Sequence, residues 1–343
     1  MIPGSAPDVR SGWLPGFLAN AVIWGSSFIF IKIAVERLHP TWVAAGRLST
    51  GALALIVILI VTKTRLPTER RVWLHMLLPG VLGTAVPFAL FAYGEERVSS
   101  IVAGIWNATT ALWVLPFAVL VYRTEKYTTR AAAGLALGFA GVLVVLGFWQ
   151  AQPSGLVGQL MCGAAALCYG VSIPYLKRFV TGSTKAPGVS LAAVQVIIAS
   201  VASTVAALVL SGPPPAPSTW GWEVIGSILA LGVFGSGIAF ALNMRVIQVA
   251  GASVSAFVTY LVPVVAVLLG IVVLGESLTW NLPVGAAIVL LGVAVAQGLF
   301  RRKRPVITIQ PSWDAVHSSS SSADQVLTTR PGSSPAASAR SHP

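Results

Sequence analysis

The residues of this sequence that could do chemistry are mostly uncharged, and they sit inside long apolar runs. Trp24 is followed by Gly25, Ser26 and Ser27. An aromatic face, two hydroxyls and a residue without a side chain thus share one helical turn, which suits contact with a small solute. Asn107 lies near the middle of another run, with Trp106 before it and Thr109 and Thr110 after it. A lone amide at that depth is costly, so it must meet protein, water or a ligand. Thr259 and Tyr260 hold a similar place in a later run. Arg47 is the clearest charge inside an apolar run, and such charges are rare and functional by default. It stands seven residues past Pro40, about 10 Å along a helix, so it could also snorkel to the surface. A gating or structural polar link is the preferred role for Arg47, ahead of contact with an anionic substrate.

Other chemistries lack their constellations. Cys162 and Cys168 have no metal-ligand spacing with the four histidines, so no metal and no cofactor is expected. No G-x-x-x-x-G-K-[ST] phosphate loop occurs. Energy for any transport must then come from a gradient, or transport is facilitated. An intramembrane enzyme acting on lipid would need paired carboxylates, or a His with a nucleophile. Glu95, Glu96 and Arg97 form the one such charged cluster expected on the outer side of a membrane, and their adjacency reads as a solvated loop; His39 and His75 have no evident partner in the sequence. Glu125 and Glu276 fall at run ends, where loop or helix-terminal contacts are expected. No Asp or Glu falls clearly in mid-run, so a conventional carboxylate relay is not visible. Lys32 and Lys177 stand near run ends and are expected to snorkel.

These residues need elements to position them, and composition says which. Of 343 residues 55% are hydrophobic and 9% charged, against about 25% charged in soluble domains. So few charges cannot cover a water-facing surface, and a bilayer supplies the missing apolar solvent. The net charge of +12 comes from short basic clusters between apolar runs. It signals topology rather than nucleic acid. Runs long enough to span a bilayer lie near 14–34, 40–62, 72–93, 98–121, 131–149, 156–176, 189–211, 223–243, 250–273 and 281–300. Runs of this length are helices. With the N-terminus in the cytoplasm, the inner segments hold sixteen Lys and Arg and the outer ends only Lys32, Arg37 and Arg97. Both termini should be cytoplasmic. Seven tryptophans, Trp222 and Trp280 among them, fall at run ends as an interfacial belt. Pro87, Pro116, Pro174 and Pro263 lie within runs and should kink them. Residues 305–343 are rich in Ser, Pro and Ala and should form a disordered tail.

The chain repeats itself. A shift of 152 residues carries Gly80-Val81 and Gly83 onto Gly232-Val233 and Gly235, and Phe88-Ala89-Leu90 onto Phe240-Ala241-Leu242. With one gap, Glu125 and Thr128 meet Glu276 and Thr279, and Gly134 and Gly141-Val142 meet Gly285 and Gly292-Val293. The first runs match more weakly: Trp24-Gly25 with Tyr169-Gly170, Ser27 with Ser172, Lys32 with Lys177, and Arg47 with Gln195. Each unit holds five runs. Five is odd, so the second unit enters the membrane inverted, as in many secondary transporters. The expected architecture is an all-α membrane protein of ten transmembrane helices in two inverted five-helix repeats. Residues 1–13 would be an N-terminal arm, 14–149 and 150–304 the repeats, and 305–343 the tail.

Several segments together resemble a known family. They are Ala21-Val22-Ile23-Trp24-Gly25-Ser26-Ser27-Phe28, Arg47-Leu48, Asn107-Ala108-Thr109-Thr110, Tyr260-Leu261-Val262-Pro263 and Leu274-Gly275-Glu276-Ser277-Leu278-Thr279. In this order the chain resembles the drug/metabolite transporter superfamily, EamA type, over about residues 14–300. The resemblance implies export of small metabolites, amino acids or toxic compounds through the bacterial inner membrane. It also implies a cavity lined by spans 1, 3, 4, 6, 8 and 9, with spans 5 and 10 as scaffold. Two departures stand out: Ala111 replaces the proline often found after Asn-Ala-Thr-Thr, and Thr124 replaces the glycine before Glu125. The substrate-contacting candidates are Trp24, Ser27, Trp106, Asn107, Tyr169, Ser172, Thr259 and Tyr260, with Arg47 and Gln195 as gating or structural links. The expected partners are a small solute and the bilayer, not nucleic acid; a homodimer stays open. The alternatives are the lipid-modifying enzyme and, below it, a channel.

Overall fold

The computed structural model describes residues 13–124, 128–147, 153–181, 183–184, 186–250 and 258–296. The arm 1–12, Glu125 and the tail 305–343 lie outside the described residues. Seven helical segments among the described residues are long and apolar enough to cross a membrane, and three shorter apolar helices accompany them. The ten, numbered along the chain, are α1 (Leu14–Val35), α2 (Pro40–Val61), α3 (Arg70–Glu95), α4 (Ser100–Val121), α5 (Thr129–Leu146), α6 (Pro153–Leu176, continued by Lys177–Thr181), α7 (Gly188–Ser211), α8 (Trp222–Ala250), α9 (Val258–Leu274) and α10 (Asn281–Ala296).

Local chemistry sets the ends. Pro15 and Pro40 occupy first-turn positions, where a missing N–H is harmless. Ser99 and Thr128 accept from Val102 N and Ala131 N at the starts of α4 and α5. Gly147 ends α5 at φ +54°, a conformation glycine adopts without strain. The burial pattern is that of a protein dissolved in lipid. Val209, Leu210, Ile60 and Val272 are 69–79% exposed, while Arg47, Thr84, Glu95 and Ser236 are buried. Trp222 and Trp280 stand exposed at helix starts, as interfacial anchors should.

Helices matched by the internal repeat cross each other antiparallel. On α2 and α7, Thr41 meets Ser211, Ser49 meets Ser200, and the Arg65 carbonyl accepts from Ser190. On α5 and α10, a Cβ on Gly141 would lie 2.6 Å from Val289 N, and one on Gly292 would lie 2.6 Å from Gly138 Cα. On α4 and α9, Gly104 faces Ala266 and Ser100 bonds Glu276 just past α9. The other contacts come in mirrored pairs: α1 with α9 as α6 with α4, and α1 with α8 as α6 with α3. Gly25 and its counterpart Gly170 make these approaches. A Cβ on Gly25 would lie 2.5 Å from Val265 of α9, and one on Gly170 would strike Trp113 of α4.

Four helices carry π segments among the described residues: α4 and α6 at their ends, over Phe117–Val121 and Lys177–Thr181, and α3 and α8 within the helix. α3 widens to π geometry over Val81–Ala85, just before Pro87. α8 does so over Ala230–Ile238, a stretch holding Gly232, Gly235 and Gly237. Such segments loosen the main-chain ladder and recur at functional sites. The expected kink at Pro87 thus takes the form of a widened turn.

Candidate functional site

The π segments of α3 and α8 are where the polar side chains gather. Arg47 does not reach the surface; it is 6% exposed. Its guanidinium lies 3.8 Å from the centre of the Phe88 ring, and Nε donates to Ser236 Oγ at 3.1 Å. Ser236, in the α8 π segment, donates in turn to Leu231 O at 3.3 Å. The counterpart of Arg47 repeats the arrangement. Gln195 Nε2 donates to Thr84 Oγ1 at 2.9 Å, and Thr84, in the α3 π segment, donates to Pro79 O at 3.2 Å. The 152-residue shift carries Pro79 and Thr84 onto Leu231 and Ser236. Each repeat thus docks a polar side chain of one helix on a hydroxyl of the other repeat's widened helix.

Ser27 and Ser172 sit beside these docks in the same mirrored way. A Cβ on Gly235 would lie 3.1 Å from Ser27 Oγ, and one on Gly83 would strike Ser172 Oγ. Trp24 is half-buried; its Nε1 donates to Gly235 O at 3.1 Å and its ring stands edge-on to Phe240. Tyr169 is half-buried against Phe91 on α3. Trp24, Ser27 and Arg47 therefore meet at the α8 π segment, and Tyr169, Ser172 and Gln195 meet α3 at or near its own.

The other candidates lie apart. Trp106 is buried between α4 and α6, donating to Gln159 Oε1 at 3.2 Å, with its ring over Gly163. Asn107 stands where α4 breaks between Ala108 and Thr110. It is half-buried, and its amide makes no hydrogen bond to a described residue. The side chains of Thr259 and Tyr260 lie outside the described residues.

The end of the bundle holding the α3–α4 turn contains charge that the sequence hides. Glu96 and Arg97 form an exposed pair at 2.9 Å, as a solvated loop would. Glu95 does not belong to that loop. It closes α3, is 0% exposed, and neither carboxylate oxygen has a hydrogen-bond partner among the described residues. Lys32, expected to snorkel, instead donates to Glu95 O at 2.6 Å and Val98 O at 3.0 Å. Glu276 caps α4, accepting from Ser100 N at 2.7 Å, Ser100 Oγ at 3.0 Å and Ile101 N at 3.0 Å. The opposite end carries an aromatic cluster. His75 lies 2.9 Å from the Tyr175 hydroxyl and stacks on Phe179, with Tyr122 edge-on to both tyrosine and phenylalanine.

Sequence reasoning missed Thr84, Ser236 and Glu95. For the first two a signal exists: the shift that aligns Gly83 with Gly235 aligns the next residues as well. The whole arrangement offers neutral hydrogen-bonding groups, aromatic faces and one cation, set between packed helices. No group of three or more His, Cys, Asp or Glu among the described residues could hold a metal ion.

A model described as the EamA-like transporter family matches residues 12–147 and again 156–297. The chain is 30% identical over 263 residues to the uncharacterized inner membrane transporter YedA of Escherichia coli K12, covering 75% of this chain and 81% of that one. It is 23% identical to the uncharacterized transporter YoaV of Bacillus subtilis, over 84% of this chain and 98% of the relative. It is 26% identical to the S-adenosylmethionine/S-adenosylhomocysteine transporter of Chlamydia trachomatis, over 80% of this chain and 85% of the relative. A crystal structure 22% identical in sequence superposes with a TM-score of 0.60, over 85% of this chain and 99% of its own. That likeness is one of fold.

Proposed function

Because the chain belongs to the EamA-like transporter family, and is a multi-pass membrane transporter, we propose that it exports small amino-acid-like or amphipathic solutes across the cytoplasmic membrane by alternating access. Ten spans in two inverted repeats carry the cycle, with both termini cytoplasmic. The antiparallel crossing of matched helices and the double family match support this architecture.

The observation that carries the mechanism is the mirrored pair of docks, Arg47 on Ser236 and Gln195 on Thr84. Both join the two repeats. With the N-terminus inside, Arg47 lies in the outer half of the membrane and Gln195 in the inner half. Each is a latch on its own side, and both are closed in this structure. Opening one while holding the other exposes the space between repeats to one side only. The latches differ in strength. A hydrogen bond from a charged group contributes about 1.5–3 kcal/mol, and a neutral one about 0.5–1.5 kcal/mol. The inner latch releases first, which suits loading from the cytoplasm.

Trp24, at the α8 π segment, and Asn107, at the break in α4, are two separate solute contacts in this reading. The Trp24 ring offers a face for an amphipathic solute, and the Asn107 amide has hydrogen-bonding capacity that no described neighbour uses. A relative named for S-adenosylmethionine and S-adenosylhomocysteine fits the same class of cargo. Proteoliposomes loaded with labelled amino acids or S-adenosylmethionine test this. Efflux of at least one solute should exceed that of empty vesicles and be lost in the Trp24→Ala, Asn107→Ala double variant. Undiminished efflux from the correctly inserted double variant would sink the site assignment.

A further inference from the structure

We propose that Glu95 is a proton-binding site, whose carboxyl takes up a proton when the outer end of the bundle seals and gives it back when that end opens. The proposal draws on the transporter reading for its biological meaning, and on the packing around Glu95 for its content.

The groups facing Glu95 leave its carboxylate nothing to bond. From α1, Lys32 directs its ammonium at two main-chain carbonyls, those of Glu95 itself and Val98. From the segment after α9, Glu276 commits both oxygens to the start of α4 and brings a second negative charge into the same corner. From α2, Arg47 turns its Nε to Ser236 and its plane to Phe88. From α6, the buried thiol of Cys162 packs on Gly94, next in the chain. Lys32, Glu276, Arg47 and Cys162 are thus the charged and titratable groups that act on Glu95.

An isolated ionised carboxylate in such a place is strongly disfavoured by loss of its hydration, and Glu276 adds to that penalty. Lys32 offsets part of it by its charge, but its ammonium bonds the two carbonyls and not the carboxylate. A neutral carboxylic acid lacks the charge penalty. The sealed state therefore holds the acid, and the open state, where water reaches the group, holds the carboxylate. Sealing binds one proton from solvent and opening releases one, with no other reactant. The sign follows: the sealed form is favoured at low pH, and its share falls as pH rises, by up to about tenfold per unit. Acidic surroundings outside would close the outer end and return the carrier for another load.

Two readouts test this on the full-length protein in lipid vesicles. In infrared spectra at neutral pH, the wild type should show a protonated-carboxyl band that Glu95→Gln lacks and Glu96→Gln keeps. In a Cys168→Ser background, a small thiol reagent should reach Cys162 faster as pH rises. Because Glu95 acts on the Cys162 thiol, each rate is divided by the thiolate fraction measured in the same variant, and the ratio of the corrected wild-type rate to that in Glu95→Gln should grow with pH. A band unchanged in Glu95→Gln, or a rate ratio flat with pH, overturns the proposal. Neither readout needs a transported solute, so failure of the transport assay and failure of this proposal remain distinguishable.

Discussion

Arg47→Ala is expected to slow solute efflux at least about tenfold, with the protein still folded and inserted. The substitution removes a charged hydrogen bond of about 1.5–3 kcal/mol and a cation–ring contact of about 0.5–2 kcal/mol. Both cross from α2: one to Ser236 of the opposite repeat, the other to Phe88 of its own. Each 1.4 kcal/mol shifts an equilibrium about tenfold, so the outer end of the variant stands open for most of the cycle. A carrier that cannot reseal cannot return. Arg47→Gln places at this position the residue that its counterpart already has. It keeps a hydrogen bond to Ser236, and should retain part of the rate. Initial efflux per folded molecule, with folding checked by size-exclusion chromatography, is the measurement. Wild-type efflux from Arg47→Ala would show that the dock is only packing.

Glu276→Ala is expected to be the most damaging change to stability outside the apolar core. Its carboxylate accepts three hydrogen bonds from Ser100 and Ile101, at 2.7–3.0 Å. Two of them satisfy main-chain N–H groups at the start of α4, which otherwise find no partner in the helix. The bonds are charge-assisted, and the negative group meets the positive end of the helix dipole. Losing them should cost about 2–3 kcal/mol and lower the thermal midpoint in detergent by several degrees. Glu276→Gln still accepts hydrogen bonds and should fall in between. An alanine variant that melts with the wild type would contradict the capping role.

Hydropathy alone located the ten apolar runs, because helix length against bilayer thickness is a strong constraint. All ten are helical among the described residues. The glycine register went further. Gly25 and Gly170, Gly83 and Gly235 make mirrored approaches that no single run would suggest. What stayed hidden has physical reasons. A π segment adds one residue to a turn without changing hydropathy, so Val81–Ala85 and Ala230–Ile238 look like ordinary helix. Thr84 and Ser236 look like any helical hydroxyl until a partner across the repeat is known. Arg47 had two fates, surface or interior, and only packing could choose between them. Glu95 was masked by its neighbours: Glu96 and Arg97 really are exposed, and a single residue step separates water from full burial.

In the proposed cycle the Arg47 and Gln195 latches close opposite sides of one carrier. Sided thiol labelling tests it most directly. With the N-terminus inside, as proposed, Cys162 near the start of α6 would report the outer end, and Phe17→Cys, its counterpart on α1, the inner end in a chain otherwise free of cysteine. Both positions are buried in the closed structure. Arg47→Ala should speed labelling of Cys162 from outside and slow labelling of Phe17→Cys from inside. Gln195→Ala should do the reverse. If both variants moved the two reporters in the same direction, or moved neither, the latches would not govern alternate access.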